Sequence, residues 1–280
     1  MLIDGGNRKA SSFVVSYLKR QNVESLDYIL ISHFDEDHLA GAIGALYQFP
    51  AGKVITADYE TDSSIYKSYQ DAMEKQGYEE THPSQGDVFS LGSASVRVIS
   101  PISYGHEDEN EDSVGVIVEN GDNRFFFGGD MGKTGEKQVM ESGADIAADV
   151  FLLNHHGSYL SSRFLEQISP SYAVISCGDG NSYGHPRQDT IKLLEDDGIP
   201  VFRTDKQERS FSTVMEKQYP GNRNPATIIH PVPGLRAAIK KSRMWRKITV
   251  TQSSATMFEY TYKEDSSAFL LVAERNEGRQ

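Results

Sequence analysis

The sequence predicts an α/β (α+β) fold in which two β-sheets are sandwiched between helices. Over residues 1–214, short apolar strands alternate with amphipathic helical stretches. Two hairpins interrupt this alternation, one around Gly92-Ser93 and one around Asn120-Gly121-Asp122-Asn123, which is a strong turn signal. Hairpins mixed with strand–helix units indicate two mixed sheets with helices on their outer faces. With 280 residues, the chain is long enough to bury such a core.

The elements follow one another at short intervals. The chain opens on a strand, and Ser11 or Ser12 is expected to cap a helix with one buried face. That face holds Phe13, Val14, Tyr17 and Leu18. Later strands are predicted at 26–32, 53–57, 88–91, 96–100, 114–118, 125–127, 150–153, 173–176 and 201–203. Helices are predicted at 39–47, 63–76, 133–142, 161–168 and 188–196.

The last 66 residues differ in charge and composition. We predict a linker at 215–233, which is rich in Pro, Asn and Gly, and an appendage at 234–280 made of a basic helix (235–247) and a β-meander. Its strands are expected at 248–251, 256–262 and 268–273. The appendage either holds an anionic polymer or partner, or is a packing domain with a solvated charged helix. Alternating Phe258, Tyr260 and Tyr262 favour packing.

Charge is distributed unevenly along the chain, whose net charge is -12. Residues 215–280 hold 11 of the 28 Lys and Arg but 6 of the 40 Asp and Glu, so residues 1–214 carry a net charge of -17. An acidic body of this kind counts against tight, non-specific binding of nucleic acid. It remains compatible with a small anionic substrate bound at a metal centre.

Several classes of protein are disfavoured by composition. No run of 18 apolar residues exists, and the N-terminus lacks a basic region followed by an apolar core, so neither membrane insertion nor secretion is indicated. The single cysteine, Cys177, cannot form an internal disulfide. We therefore expect a soluble cytoplasmic protein.

The richest cluster of potential metal ligands is the hexapeptide His33-Phe34-Asp35-Glu36-Asp37-His38, which follows the apolar run at 28–31. A strand end followed by a short loop can aim His33 and Asp35 at one point. A helix starting near Leu39 can aim Asp37 and His38 at a second point nearby. Imidazoles and carboxylates in this combination suit zinc, manganese or iron.

Three more polar constellations lie just past predicted strands. Asp130 follows Phe125-Phe126-Phe127-Gly128-Gly129, where a carboxylate can bridge two cations. The strand at 150–153 ends in Asn154-His155-His156-Gly157-Ser158. A polar loop after 174–176 leads to Tyr183-Gly184-His185-Pro186. Each is weak alone, but all follow strand ends in a chain with eight histidines.

Together these motifs give the sequence a clear resemblance to a known group of proteins. Leu2-Ile3-Asp4-Gly5-Gly6, the HFDEDH hexapeptide and the three constellations, in this order, resemble the metallo-β-lactamase fold superfamily. Within it, the chain is most similar to the ComEC-like branch, the hydrolase domain of DNA-internalisation competence proteins. The resemblance covers about residues 1–214 and implies an αββα sandwich with a dinuclear metal site. Because a strand or two normally precedes the first strand, the N-terminus is expected to be incomplete.

The resemblance also implies roles for individual residues. His33 and Asp35 would bind the first metal, Asp37 and His38 the second, Asp130 would bridge them, and His185 would complete the second site. His155 and His156 would bind substrate phosphate or transfer protons, although one of them could be a ligand instead. The usual histidine before the bridging aspartate is missing, and Asn110, Asp112 or His106 are candidates to replace it.

The implied activity is hydrolysis by a hydroxide that bridges two divalent ions, zinc or manganese most readily and iron as a further choice. Asp37 or Asp130 would orient the hydroxide. A phosphodiester, including nucleic acid or a nucleotide diester, is the preferred anionic substrate, so the enzyme would be a phosphodiesterase or nuclease. Lactone and thioester hydrolysis would use the same centre. The alternative is a catalytically weak or inactive protein that keeps the fold for binding or sensing.

Overall fold

The structure, a computed structural model, describes residues 1–206 and the strands at 245–249, 255–260 and 268–273. Two β-sheets face each other and helices cover their outer faces, which confirms the predicted αββα architecture. Within the described residues each sheet has seven strands.

The first sheet joins an antiparallel part at one edge to a parallel part at the other. From one edge to the other, its strands are β12 (Trp245–Thr249), β13 (Ala255–Tyr260), β14 (Ala268–Ala273), β1 (Leu2–Ile3), β2 (Leu26–Ile31), β3 (Ala51–Thr56) and β4 (Glu80–Thr81). Strands β1 to β4 run parallel, whereas β12, β13, β14 and β1 pair antiparallel.

The second sheet joins an antiparallel half to a parallel half. From edge to edge its strands are β11 (Val201–Arg203), β10 (Tyr172–Ile175), β9 (Val150–Leu152), β8 (Asn123–Phe127), β7 (Gly115–Asn120), β6 (Ala94–Ser100) and β5 (Val88–Leu91). Strands β5 to β8 form antiparallel hairpins, and β8 to β11 are parallel. The carboxyl ends of β8, β9 and β10 therefore meet at one edge, where site residues are expected.

Helices on the two outer faces complete the layers. The first sheet packs against α1 (Arg8–Arg20), α2 (Glu36–Gln48) and α3 (Ser64–Gln76). The second packs against α4 (Lys133–Ser142), α5 (Ser162–Ile168) and α6 (Gln188–Asp196). A third apolar cluster, including Ile3, Leu30, Phe125 and Phe127, fills the space between the sheets. None of the helices in residues 1–206 is long and apolar enough to cross a membrane.

Two helices start earlier than the sequence predicted. Helix α1 begins at Arg8 because Asn7, not Ser11 or Ser12, is its N-cap and accepts hydrogen bonds from the Lys9 and Ala10 N–H groups. Helix α2 begins at Glu36, so Asp37 and His38 lie in its first turn. The acidic hexapeptide is therefore part loop and part helix, which fixes the direction of its last two side chains.

The C-terminal strands continue the first sheet. Strand β14 pairs antiparallel with β1, with Leu2 opposite Leu270 and Ile3 opposite Phe269. Strand β12 begins at Trp245, whereas the sequence predicted helix as far as Lys247, so that part of the prediction is wrong. The linker at 215–233 and the start of the basic helix lie outside the described residues, and the division into 1–214, 215–233 and 234–280 stays a prediction.

Candidate metal centre

Three strand ends and the start of one helix bring the polar side chains together. His33 follows β2, Asp130 follows β8, and His156 follows β9, while Asp37 and His38 enter from the first turn of α2. Potential ligand atoms form two groups, and within each group all of them lie within 4.8 Å of one another. One group is His33, His38 and Asp130, and the other is Asp37, His38 and His156, so His38 belongs to both. The residues come from both sheets, so the site lies at the seam between them.

Three buried histidines leave one ring nitrogen each without a hydrogen-bond partner. His33, His38 and His156 are at most 6% exposed, and the Nε2 atom of each has no partner among the described residues. A buried polar atom left unpaired is costly, and such groups are rare unless a water or an ion completes them. Three that converge on the same carboxylates indicate a bound cation.

Distances within the cluster agree with that interpretation. The Nε2 atom of His38 lies 3.2 Å from Asp130 Oδ1, and Nε2 of His156 lies 3.3 Å from Asp37 Oδ2 and 3.5 Å from Asp130 Oδ2. Ligand atoms around a tetrahedral cation with bonds of about 2.0–2.1 Å are separated by roughly 3.3 Å. The spacing is thus that of neighbouring ligands, and the donor set of imidazoles and carboxylates fits a divalent ion.

Asp4 fixes the orientation of His38. Its Oδ2 atom accepts a hydrogen bond of 2.8 Å from His38 Nδ1, which leaves Nε2 as the free lone pair. Asp4 is held close because the Gly5 N–H donates to the His38 carbonyl, and a Cβ on Gly5 would lie 1.9 Å from Ala42 N. Only glycine lets this loop touch helix α2.

Ser32 extends the same network to His33. The Ser32 N–H donates to Asp4 Oδ1 and its hydroxyl donates to Asp4 Oδ2, since a carboxylate can only accept. The Ser32 oxygen, 3.1 Å from His33 Nδ1, is then free to accept that nitrogen's proton. His33 therefore also presents Nε2 as a lone pair. One buried carboxylate thus sets the tautomers of two histidines.

His156 is oriented by the backbone. Its Nδ1 donates to the Ser176 carbonyl at 2.8 Å, so Nε2 again points a lone pair into the cluster. Both His155 and His156 have positive φ, at 46° and 54°, in a short 3-10 helix at Asn154–Gly157. Consecutive non-glycine residues in the left-handed region store strain, and such strain is typical of functional sites.

Asp130 is placed by a tight turn. Its N–H donates to Ser113 Oγ, and the preceding Gly129 has φ of 59°. A Cβ on Gly129 would lie 2.7 Å from the Ser32 Cβ, so the two sheets meet here with no room for a side chain. The carboxylate is consequently fixed between the histidines of both sheets.

The electrostatics of the cluster are strongly coupled. Burial alone would lower the pKa of both His38 and His156, but the surrounding carboxylates, chiefly Asp130, raise the pKa of His38 well above its ordinary value and that of His156 to about 9. Burial opposes ionisation of Asp130, yet the two histidines hold its pKa well below the usual range. The carboxylates thus stabilise positive charge in the cluster, and a cation that binds there would displace protons from the imidazoles.

Asp35 occupies a peripheral position. As N-cap of α2 it would ordinarily accept a backbone hydrogen bond, but its side chain makes none. Its Oδ2 atom lies 3.7 Å from His33 Nε2, and its side chain is 57% exposed. The nearby His33 ring lowers the pKa of Asp35 against the opposing effect of burial. Asp35 therefore lies at the edge of the cluster and is less firmly held than its neighbours.

His155 and His185 line the outer side of the cluster. The Nε2 atom of His155 lies 3.8 Å from Asp130 Oδ2, and its side chain is 29% exposed. The His185 ring is 5.6 Å from the ring of His155 and 6.4 Å from that of His156, measured between centroids. His185 is close to the cluster but is not in either of the two groups of ligand atoms. Its role as a metal ligand stays a prediction.

The candidates for the missing histidine lie in a neighbouring network. Asp112 is buried and accepts hydrogen bonds from the Gly105 and His106 N–H groups and from His106 Nδ1. His106 Nε2 in turn contacts Gln138 Nε2 at 3.0 Å. Asn110 lies in the short 3-10 helix at Glu109–Asp112. Asp112 and His106 thus hydrogen-bond to each other. In residues 1–206 neither of them belongs to a group of converging ligand atoms.

Sequence reasoning missed the roles of Asp4 and Ser32. Asp4 belongs to the Leu2–Gly6 segment that carries part of the family resemblance, but that resemblance implies no role for its side chain, and its positive φ of 53° is not visible in the sequence. The available signal was a carboxylate directly after a buried strand, followed by two glycines. Ser32 carried no signal, because serine at a strand end is common.

A comparison with protein families decides the classification. The family model described as metallo-beta-lactamase superfamily matches residues 1–179. This chain belongs to the metallo-beta-lactamase superfamily. The match covers His33, Asp37, His38, Asp130 and His156, the residues that the fold brings together.

Curated relatives agree with the predicted ComEC-like branch, which is confirmed. The chain is similar to ComE operon protein 3 of Bacillus subtilis, with 31% identity over 196 residues, and to competence protein ComA of Neisseria gonorrhoeae, with 28% over 209 residues. It is also similar to recombination protein 2 of Haemophilus influenzae, at 25% over 191 residues. These matches cover 69%, 73% and 68% of this chain but 25%, 28% and 22% of the relatives. The chain therefore spans about a quarter of their length.

Solved structures resemble the chain more distantly. The metallo-beta-lactamase fold protein YhfI from Bacillus subtilis matches with a TM-score of 0.46 and 12% identity, covering 71% of this chain and 82% of that one. The diiron β-hydroxylase CmlA from Streptomyces venezuelae matches with a TM-score of 0.43 and 16% identity, covering 64% and 44%.

Proposed function

We propose that this chain is a dinuclear metal-dependent hydrolase that cleaves phosphodiesters, as a phosphodiesterase or nuclease. The observation that carries the proposal is the convergence of three Nε2 atoms, those of His33, His38 and His156, on the carboxylates of Asp130 and Asp37. None of the three has a hydrogen-bond partner among the described residues. The names of the competence and recombination relatives support nucleic acid as the substrate class. Zinc or manganese suits the donor set best, and iron is a further choice.

The residues would divide into two functional sets. His33, His38, His156, Asp37 and Asp130 would hold the metals, with Asp35 and His185 as outer ligands. Divalent ions bound there would acidify a water molecule and neutralise the negative charge that develops on phosphorus oxygens. Asp37, with a side chain that is 28% exposed, reaches both His156 and open solvent and is suited to orient the attacking water.

His155 and His156 would perform different tasks, an alternative that the sequence left open. His156 is 6% exposed and its Nε2 points into the cluster, so we assign it to the metal. His155 remains partly exposed beside Asp130, so we assign it to the substrate. There it could hold a phosphoryl oxygen or protonate the leaving group.

Metal analysis combined with a phosphodiester assay tests this function. Purified protein is stripped with chelator, reloaded with zinc, manganese or iron, and assayed on bis-p-nitrophenyl phosphate. We expect close to two metal ions per chain and metal-dependent turnover that is lost after chelation. A lactone and a thioester assayed in parallel test the substrate class, since faster cleavage of either would overturn the phosphodiester assignment.

A second function is favoured by one observation at the first metal. Asp35 is largely exposed, and Asp112 is committed to His106, so this metal would have few firmly held ligands. A protein that binds or senses a ligand without turning it over would fit such a site. Absence of turnover with all three metals restored would support this second function over hydrolysis.

A further inference from the structure

The loop that carries His185 also exposes an aromatic ring beside the metal centre. Tyr183 is 65% exposed, more than any other large hydrophobic side chain that the structure describes as exposed. Its ring is 5.9 Å from the His185 ring at an interplanar angle of 28°. The His185 ring is in turn nearly parallel to that of His156, at 19°. A stepped series of planar rings thus leads from solvent to the cluster.

The same loop presents a cationic side chain. Arg187 is exposed, and its Nη1 atom lies 3.8 Å from the position that a Cβ on Gly184 would take. No carboxylate in residues 1–206 pairs with Arg187, whereas four other arginines of that range do form ion pairs: Arg8, Arg97, Arg124 and Arg203. In an acidic body, an unpaired guanidinium close to the loop that carries His185 is available to an anion.

Packing holds this loop in place before any substrate arrives. Asn181 accepts a hydrogen bond from the His185 N–H and donates one to the His185 carbonyl, at 3.0 and 2.7 Å. The Arg187 N–H donates to the Gly157 carbonyl. A Cβ on Gly157 would lie 2.8 Å from Pro186 Cβ, so the loop rests directly on the turn that carries His155 and His156. A preorganised surface binds with less loss of entropy.

We propose that Tyr183 and Arg187 form a nucleotide subsite beside the metal centre, in which Tyr183 stacks on a base and Arg187 pairs with a phosphate. Aromatic rings stack on bases with little dependence on sequence, and guanidinium groups bind phosphate through two parallel hydrogen bonds. The inference rests on the proposed function and narrows its substrate to phosphodiesters that carry a nucleobase. Tyr183 is a specificity residue here, because it lies two ring-to-ring steps from His156.

A kinetic experiment compares two substrates with one leaving group. Thymidine 5′-monophosphate p-nitrophenyl ester carries a base, and methyl p-nitrophenyl phosphate does not. We expect Tyr183→Ala to lower kcat/KM about tenfold for the thymidine ester and to leave the methyl ester unchanged. Tyr183→Phe keeps the stacking face and should restore the rate. Tyr47→Ala, which removes a 40% exposed tyrosine from the far end of α2, is the matched control.

Equilibrium binding separates the subsite from catalysis. Calorimetry on zinc-loaded protein compares thymidine 5′-monophosphate with 2-deoxyribose 5-phosphate, which has the same phosphate but no base. We expect wild type to prefer the nucleotide about tenfold and Tyr183→Ala to lose the preference. Arg187→Ala should weaken both ligands equally and keep the preference, while Arg163→Ala, on the exposed face of α5, should change neither.

The kinetic and binding measurements together distinguish failure of the nucleotide subsite from failure of the proposed hydrolase activity. Equal loss of both p-nitrophenyl activities in Tyr183→Ala, or equal affinity of wild type for the two phosphates, would overturn the subsite and leave the hydrolase intact. Absence of turnover on both esters together with a base-dependent preference in binding would overturn the hydrolase and support the subsite.

Discussion

Two histidine–carboxylate networks lie close together in this fold and end differently. His38 donates from Nδ1 to Asp4, and its buried Nε2 has no hydrogen-bond partner in the part of the chain that the structure describes. His106 contacts Asp112 through Nδ1 and Gln138 through Nε2, so both ring nitrogens are engaged. The first arrangement presents a lone pair to a ligand, and the second closes on itself. A histidine's second nitrogen, more than its neighbouring carboxylate, therefore distinguishes a ligand from a structural residue.

The largest effect expected from this comparison is on metal binding and activity. His38→Ala removes a ligand atom shared by both groups. We therefore expect kcat/KM for bis-p-nitrophenyl phosphate to fall about a thousandfold, which corresponds to a loss of about 4 kcal/mol of transition-state stabilisation. Metal content should fall with it while circular dichroism stays unchanged. His82→Ala is the matched control, because His82 lies about a third exposed beside Glu80, away from the cluster. An unchanged rate in His38→Ala would remove it from the site.

A smaller effect is expected when the orienting carboxylate is changed. Asp4→Asn keeps the size of the side chain but no longer fixes the Nδ1 proton of His38, so metal affinity should fall about 10- to 100-fold. Competition with a fluorescent chelator measures this. Ser32→Ala should act in the same direction but less, since it disturbs only His33. Wild-type affinity in Asp4→Asn would show that the network is not needed to orient the ligand.

Glu136 lies outside the histidine–carboxylate cluster, yet it too has a buried side-chain oxygen with no hydrogen-bond partner among the described residues. Its Oε2 accepts two hydrogen bonds from Ser161, while Oε1 has no partner in the described residues. Burial raises its pKa from 4.5 to about 7 against these bonds, and Glu111 adds to the rise. The single buried carboxyl of Glu136 is thus stabilised by binding a proton, whereas the three converging Nε2 atoms of the cluster indicate a metal cation.

Stability should therefore depend on pH through Glu136. Because its pKa is higher in the native state, the protonated form contributes stability that is full below pH 4.5 and is lost as the pH rises through 7. The loss is at most about 3 kcal/mol. Urea unfolding of metal-free protein at pH 5 and pH 8 measures it, with Glu136→Gln expected to reduce the difference. Glu141→Gln, an exposed change on the same helix, should keep the wild-type difference.

The smallest effect is expected in the closed network. His106→Ala leaves Asp112 with only backbone donors, so the free energy of unfolding should fall by about 1–3 kcal/mol. Metal content and activity should remain those of wild type. A loss of bound metal in this variant would return His106 to the candidate ligands and break the distinction between the two networks.

Much of the fold could be predicted because its signals are local. Apolar strands and the Asn120–Asn123 turn gave the second sheet's hairpins, and helices α4 and α6 have the predicted bounds. The start of α1 was missed because capping depends on which side chain is free, and Asn7 was the better placed acceptor. The start of α2 was missed because its N-cap residue, Asp35, makes no side-chain capping hydrogen bond. The pairing of β14 with β1 joins the two ends of the chain, and no local pattern reports such a contact.

The site was predictable as a set of residues but not as a set of roles. Histidines and carboxylates after strand ends pointed to His33, His38, Asp130 and His156, since parallel strands deliver their ends to one edge. Which nitrogen of each ring is free depends on long-range partners such as Asp4 and the Ser176 carbonyl. These contacts come from different strands, so adjacent His155 and His156 could not be told apart in the sequence.

Anomalous diffraction from crystals of the zinc-loaded protein, recorded at the zinc edge, tests the central claim most directly. We expect an anomalous peak about 2.0–2.1 Å from the Nε2 atoms of His38 and His156, and a second peak within reach of His33, with Asp130 contacting both. Anomalous density elsewhere, or fully loaded crystals in which these three nitrogens bind only water, would contradict it.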